Sequence, residues 1–174
     1  MSSRRRMMIA AGRGEGISPV LHDAVFSADE IAEEVGVDAV ECSGGCAFAA
    51  VIDDYSSADY DVCGISMINQ WSQLWLQHRG FGNLEIETID GSEEFHSDEV
   101  EDGVPHHIVV VATPDRIRMY VDGELIGERW GRDFYGDGTI RRVGARGGVR
   151  NFRVWARPLT EEEIAEVWKF DGGN

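Results

Sequence analysis

"HHIVVVATPDRIRMYVDGELIGE" (residues 106–128) is the stretch whose reading decides the fold. Its first eight residues, 106–113, form a nearly unbroken apolar and β-branched run, the pattern of a buried central strand. Beyond Pro114-Asp115 the pattern becomes an alternation that turns Ile117, Met119 and Val121 to one face. Asp122-Gly123 then supplies the two positive φ angles of a type I′ turn, so 115–128 predicts a hairpin.

Outward from this hairpin the chain reads as further strands. "CAFAAVID" (46–53) and "VCGISMIN" (62–69) flank a polar loop, "DYSSADYD" (54–61). "NLEIETID" (83–90) places Leu84, Ile86 and Thr88 on one face and Glu85, Glu87 and Ile89 on the other. "TIRRVGA" (139–145) and "GVRNFRVWA" (148–156) follow, with long loops expected over 91–105 and 129–138. About ten strands at this spacing predict an all-β, antiparallel sandwich or jelly roll.

Two short helices are also expected. In "FSADEIAEEVG" (26–36), Ser27 and Glu30 make a capping box and Gly36 a stop; in "LTEEEIAEVW" (159–168), Thr160 and Glu163 repeat the formula. "INQWSQLWLQHRG" (68–80) is ambiguous by itself, because tryptophans four apart suit a helix face. Its strand neighbours favour a strand. That places Trp71, Gln73, Trp75 and Gln77 on one side and Leu74 and Leu76 on the other.

The segments 106–128 and "GARGGVRNFRVWARPLTEEEIAEVW" (144–168) together resemble the laminin-G-like branch of the concanavalin A-like lectin/glucanase jelly rolls. A histidine-led strand, a "YVDG" hairpin, a late glycine-opened strand and a closing "RPLTEEEIA" helix occur in that family's order. The resemblance covers about 37–170. It implies a concanavalin A-like sandwich over 37–174, preceded by a basic arm and capped helix over 1–36 acting as an attachment segment. The chain departs from the family at Arg150-Asn151, where acidic residues often stand early in the last strand.

Charge is the strongest compositional signal: 32 acids face 16 bases, and Lys169 is the only lysine. A carboxylate-rich, lysine-poor surface suits molar salt, where the Debye length falls to ~3 Å and self-repulsion is screened. A halophilic source is therefore expected, and nucleic-acid binding is disfavoured for want of a basic footprint. The charge is uneven: Arg4, Arg5, Arg6 and Arg13 stand in an acid-free start, whereas Arg79 is the only base of 15–104. Residues 138–159 hold six arginines, among them Arg141, Arg142, Arg146 and Arg150, and no acid. With Arg4, Arg5 and Arg6 these four are candidates for gripping an acidic neighbour or ligand; internal pairing is the alternative.

Cys42, Cys46 and Cys63 are too few for a zinc site or a disulfide framework, and small buried thiols or one oxidised pair between neighbouring strands are the options. "SRRRMMIAAGRGEG" begins like a twin-arginine signal, but Arg13 and Glu15 cut its apolar stretch short, so export is not expected. No apolar run approaches the ~20 residues of a membrane span.

The resemblance brings three site classes into question. Structural calcium is common in the family, and Asp53, Asp54, Asp59 and Asp61 could supply oxygens; a solvated acidic loop is the preferred reading, so no cofactor is expected. "LEIETID" resembles the catalytic strand of the family's glucanases, yet its residue order differs, and Glu85 and Glu87 read as a wet strand face. Sugar binding fits better, since it needs aromatic planes for ring C–H faces and polar groups for hydroxyls. Two stretches carry that chemistry: Trp71, Gln73 and Trp75 on the strand, and Trp130, Asp133, Phe134, Tyr135 and Asp137 in "RWGRDFYGDG".

The expected function is thus a non-catalytic, surface-displayed module binding host glycans or glycoproteins. Such a module, made in the cytoplasm with a basic arm, fits a capsid decoration, turret or tail component on the virion of a halophile virus. It would act as a homo-oligomer or within a larger assembly of virion subunits. A purely structural assembly role and a glycoside hydrolase are the alternatives.

Overall fold

The computed structural model describes residues 33–42, 44–52, 60–66, 73–78, 83–88, 91–96, 104–130, 138–145 and 149–172. Eleven strands and one helix occupy them: β1 (Glu33–Glu41), β2 (Cys46–Ile52), β3 (Tyr60–Ser66), β4 (Gln73–His78), β5 (Asn83–Thr88), β6 (Gly91–His96), β7 (His106–Thr113), β8 (Arg116–Val121), β9 (Glu124–Trp130), β10 (Thr139–Ala145), β11 (Val149–Trp155) and α1 (Glu161–Phe170). They build two antiparallel sheets, ordered β1-β10-β3-β4-β5-β6 and β11-β2-β7-β8-β9. This is the expected concanavalin A-like jelly-roll sandwich.

Alternation assigns the faces. Phe48, Ala50, Ile52, Ile108, Val110, Ala112, Ile117, Met119 and Val121 of the smaller sheet meet Ile65, Leu74, Leu76, Leu84, Ile86, Phe95, Ile140 and Val143 of the larger one in a single core. The five-stranded sheet is also covered outside. There Ala47, Ala49, Val109, Val111, Tyr120 and Trp155 form a second apolar layer with Leu159, Ile164 and Val167 of the α1 segment. Both faces of β2 and β7 are therefore buried, which explains why these strands read as continuous apolar runs.

The central hairpin forms as its sequence demands, with Asp122 at φ 48° and Gly123 at φ 85°. Gly123 is needed twice over, because a Cβ there would stand 2.6 Å from Trp168 Cε3 of α1. The Asp122 carboxylate accepts the His107 N–H at 2.8 Å and lies 2.7 Å from His106 Nδ1, tying the turn to the start of β7. Helix α1 begins with the expected capping box: Thr160 accepts the Glu163 N–H, and the Glu163 carboxylate accepts the Thr160 N–H at 2.9 Å.

Two expectations are corrected. Residues 33–36, read as the end of a capped helix, pair as strand with Arg142–Ala145 of β10, so the sheet starts inside the segment assigned to the arm. The local helix signal is real but worth only tenths of a kcal/mol per residue, and sheet pairing overrides it. Residues 91–96, read as loop, form β6, the edge strand beside β5. "GSEEFH" hides its strand character because Phe95 is the one core residue among its described side chains. Residues 27–32 lie outside the described residues. No helix among the described residues is long and apolar enough to cross a membrane, which says nothing of a β-barrel.

Candidate functional site

The hairpin brings a set of large polar and aromatic side chains onto one surface. β8 and β9 pair Arg116 with Trp130 and Arg118 with Glu128, so all four leave the outer face of the five-stranded sheet at its β9 edge. Trp130 is 70 % exposed. The Arg116 guanidinium carbon lies 5.0 Å from the centroid of its ring, within cation–π range. Arg116 is itself anchored by the Glu128 carboxylate and stands 3.8 Å from Asp115, while Arg118 Nε donates to Glu128 Oε2 at 2.6 Å. The hydrogen bond from Arg118, and then that from Arg116, holds the Glu128 carboxyl below its ordinary range. On the other side of β9, Arg129 stacks 4.8 Å over Phe95 and donates to the Glu94 carbonyl at 2.9 Å. The result is a charge-braced ribbon that leaves one indole out in solvent. Leu125, also exposed, lies further along the same strand.

Of the residues expected around Trp130, Asp133, Phe134, Tyr135 and Asp137 lie outside the described residues. Arg116, Arg118 and Glu128 were missed as site residues. Alternation from Ile117, Met119 and Val121 puts Arg116 and Arg118 on the outer face, but their pairing with Trp130 and Glu128 depends on a register shift between Met119 and Tyr120 that simple counting from the turn does not give.

In the second expected site only Trp75 can be placed, and for that residue the expectation is corrected. Strand alternation along β4 is as read, with Leu74 and Leu76 in the core and Trp75 and Gln77 on the outer face of the six-stranded sheet. There Trp75 stands opposite Glu87, and Gln77 opposite Glu85, with Gln77 Nε2 donating to Glu87 Oε2 at 2.8 Å. Glu94 of β6 continues the second row beside Glu85. Trp75, however, is only 3 % exposed and cannot offer its face to a sugar. Its neighbour on β3 is Gly64, where a Cβ would fall 2.8 Å and 2.9 Å from Trp75 Cα and Cγ, so the indole packs across a bare backbone. Trp71 and the Gln73 side chain lie outside the described residues.

Among the described residues, the expected arginines are divided between the two sheets. Arg142 leaves the outer face of the six-stranded sheet, whereas Arg150, opposite Val51 of β2, belongs to the five-stranded sheet. Arg141 is half-buried, with Nη1 donating to the Thr139 carbonyl at 3.2 Å. Arg4, Arg5, Arg6 and Arg146 lie outside the described residues, as do Asp53, Asp54, Asp59 and the Asp61 side chain weighed for calcium. Among the described residues no group of three or more His, Cys, Asp or Glu could hold a metal ion.

One buried polar cluster had no sequence motif. Asp171, the C-cap of α1, has a side chain only 1 % exposed, ion-paired with Arg153 of β11, and it accepts Asn151 Nδ2 at 3.0 Å. His107 Nε2 lies 3.0 Å from the same carboxylate without the alignment of a hydrogen bond. Burial, then the Arg153 charge, pushes the His107 ring down to about 4, against an opposing pull from Asp122. His107 is therefore neutral near pH 7. A carboxylate at the negative end of a helix dipole is unfavourable unless a cation answers it, and Arg153 does so.

The family model "Laminin_G_3: Concanavalin A-like lectin/glucanases superfamily" matches residues 57–165. A search of curated proteins finds no match. Among solved structures, the receptor binding domain of botulinum neurotoxin D superposes with a TM-score of 0.61 at 15% identity, over 90% of this chain and 46% of that one. The botulinum neurotoxin serotype D binding domain gives 0.61 at 15%, over 86% and 42%. The receptor binding domain of the C/D mosaic serotype gives 0.54 at 19%, over 73% and 36%. This chain thus spans less than half the length of each of these domains.

Proposed function

The chain belongs to the concanavalin A-like lectin/glucanases superfamily, and on that premise we propose that it is a non-catalytic carbohydrate-binding module whose platform is Trp130. The observation that carries this reading is an indole 70 % exposed on a strand edge, with the guanidinium of a braced arginine 5.0 Å from its ring centroid. An indole left in water forgoes a burial worth roughly 1.5–3 kcal/mol for a large apolar side chain, a cost that a ligand's apolar face recovers. The C–H face of a pyranose stacks on such a plane, and Glu128 and Arg116 beside it offer an acceptor and donors to its hydroxyls. In sequence, Asp133, Phe134, Tyr135 and Asp137 follow Trp130 within seven residues, the aromatic and carboxylate types that sugar binding uses.

Relatives in fold support a binding role by analogy: cell entry of botulinum neurotoxin type C is dependent upon interaction with two ganglioside molecules. Against hydrolysis stands the outer face of the six-stranded sheet, where Glu87 is engaged by Gln77 and the neighbouring Trp75 is buried. The finer reading is a virion surface component of a halophile virus, assembled with other subunits; the acid-rich, lysine-poor composition is its support.

A glycan array in molar salt tests the proposal. Binding to a defined set of glycans is expected, with no release of reducing sugar from any of them. Absence of binding to every glycan would sink the module reading, and hydrolysis abolished by Glu87→Gln would replace it with a glycosidase. Antibody decoration of purified virions tests the location.

A further inference from the structure

The chain passes from the six-stranded to the five-stranded sheet through "CSGGC" (42–46), which follows the end of β1 and whose last residue opens β2. Two of its described residues are tightly placed. The Cys42 N–H donates to the Gly138 carbonyl at 2.6 Å, at the entry to β10. Gly45, at φ 141°, is pressed so close that a Cβ would stand 2.4 Å from the Ala112 carbonyl oxygen and 2.7 Å from Pro158. Gly44 is also in the left-handed half of the map, at φ 85°. Both cysteines point into the core between the sheets, 1 % and 0 % exposed. Their thiols lie in hydrogen-bonding contact with each other. Cys63, buried in β3, has its thiol pushed up by desolvation.

We propose that Cys42 and Cys46 are an oxidisable pair, and that a disulfide between them staples the two sheets together at this crossing. Both thiols lie in the same buried cluster between the sheets, four residues apart in sequence, and a disulfide draws their sulfurs to ~2.05 Å. The oxidant is a low-molecular-weight disulfide such as oxidised glutathione. The Cys42 thiolate attacks one glutathione sulfur, forming a mixed disulfide and expelling a glutathione thiolate. The Cys46 thiolate then attacks Cys42 Sγ and expels the second. Two protein thiols and one glutathione disulfide become one protein disulfide and two glutathione thiols, which carry away both protons.

Burial of both sulfurs makes the exchange fast in the refolding chain and slow once the core has closed. Closing a loop this short shifts the folding equilibrium by a factor on the order of 30.

The test uses the full chain, reduced and denatured, then refolded in molar salt with oxidised glutathione. It is alkylated under denaturing conditions and cleaved before aspartates. Cuts at Asp38, Asp53, Asp61 and Asp90 separate Cys42 and Cys46, on fragment 38–52, from Cys63 on fragment 61–89. The expected result is fragment 38–52 free of alkyl groups and about 2 Da lighter than its reduced form, for the two hydrogens lost. Fragment 61–89 then carries one alkyl group, and the reduced control carries two on 38–52. Two alkyl groups on 38–52 after refolding, a persistent glutathione adduct, or a cross-link between the two fragments would each overturn the proposal.

Discussion

Acidification isolates the buried cluster at the end of α1, and His107 sets the size of the effect. In the unfolded chain this imidazole takes up a proton at its ordinary 6.5, but in the folded protein only at about 4. Between those values the unfolded state binds more protons, so stability must fall as pH falls from above 6.5 towards 4. The slope approaches 1.36 kcal/mol per pH unit for one proton, and the shift of two to three units gives about 3 kcal/mol in total. Below 4 both states are protonated and the loss levels off. The physical cause is that a cation at this site would be buried beside Arg153, whose charge is already spent on Asp171.

The assay is urea unfolding across this pH range at constant molar salt, on the wild type and on His107→Gln. The variant cannot titrate, so the difference between the two slopes reports His107 free of the carboxylates that protonate nearby. The wild type should lose about 3 kcal/mol more than the variant between pH 6.5 and 4. Parallel curves for the two proteins would refute the reasoning, because they would show that His107 titrates alike folded and unfolded.

Other consequences follow from single positions. Gly64→Ala places a Cβ 2.4 Å from the Leu74 carbonyl oxygen and against Trp75, and should cost about 1–3 kcal/mol in the same urea assay. Thr160→Ala removes the hydroxyl half of the capping box and should cost about 1 kcal/mol, read as a lower thermal midpoint. Diluting the salt should lower the midpoint of the wild type, because a net charge of −16 is then screened over ~10 Å in place of ~3 Å. A midpoint that ignores salt would remove the physical argument for a halophilic source.

The sequence made the centre of the sandwich readable and its margins obscure. β7 and the β8–β9 hairpin were legible because buried apolar runs and an Asp-Gly turn leave few alternatives. β1 and β6 were not. "EEVG" carries helix-favouring acids whose strand state comes only from pairing with β10, and "GSEEFH" gives a single apolar residue to the core.

The candidate site was half legible. Trp130 could be named, but its partners Arg116, Arg118 and Glu128 depend on hairpin register, which slips by one residue between Met119 and Tyr120. Trp75 shows the converse problem, since alternation fixes which face a side chain takes but not whether that face is open. The His107–Asp171–Arg153 cluster joins β7, β11 and the helix end, three segments that no local motif connects.

Trp130→Ala tests the central claim most directly, measured by titration calorimetry in molar salt against the best glycan from the array. The side chain is 70 % exposed, so its removal should leave the thermal midpoint within a degree or so of the wild type. Affinity should fall at least tenfold, about 1.4 kcal/mol or more. Unchanged affinity in a folded Trp130→Ala protein would contradict the account and move the binding surface elsewhere on the sandwich.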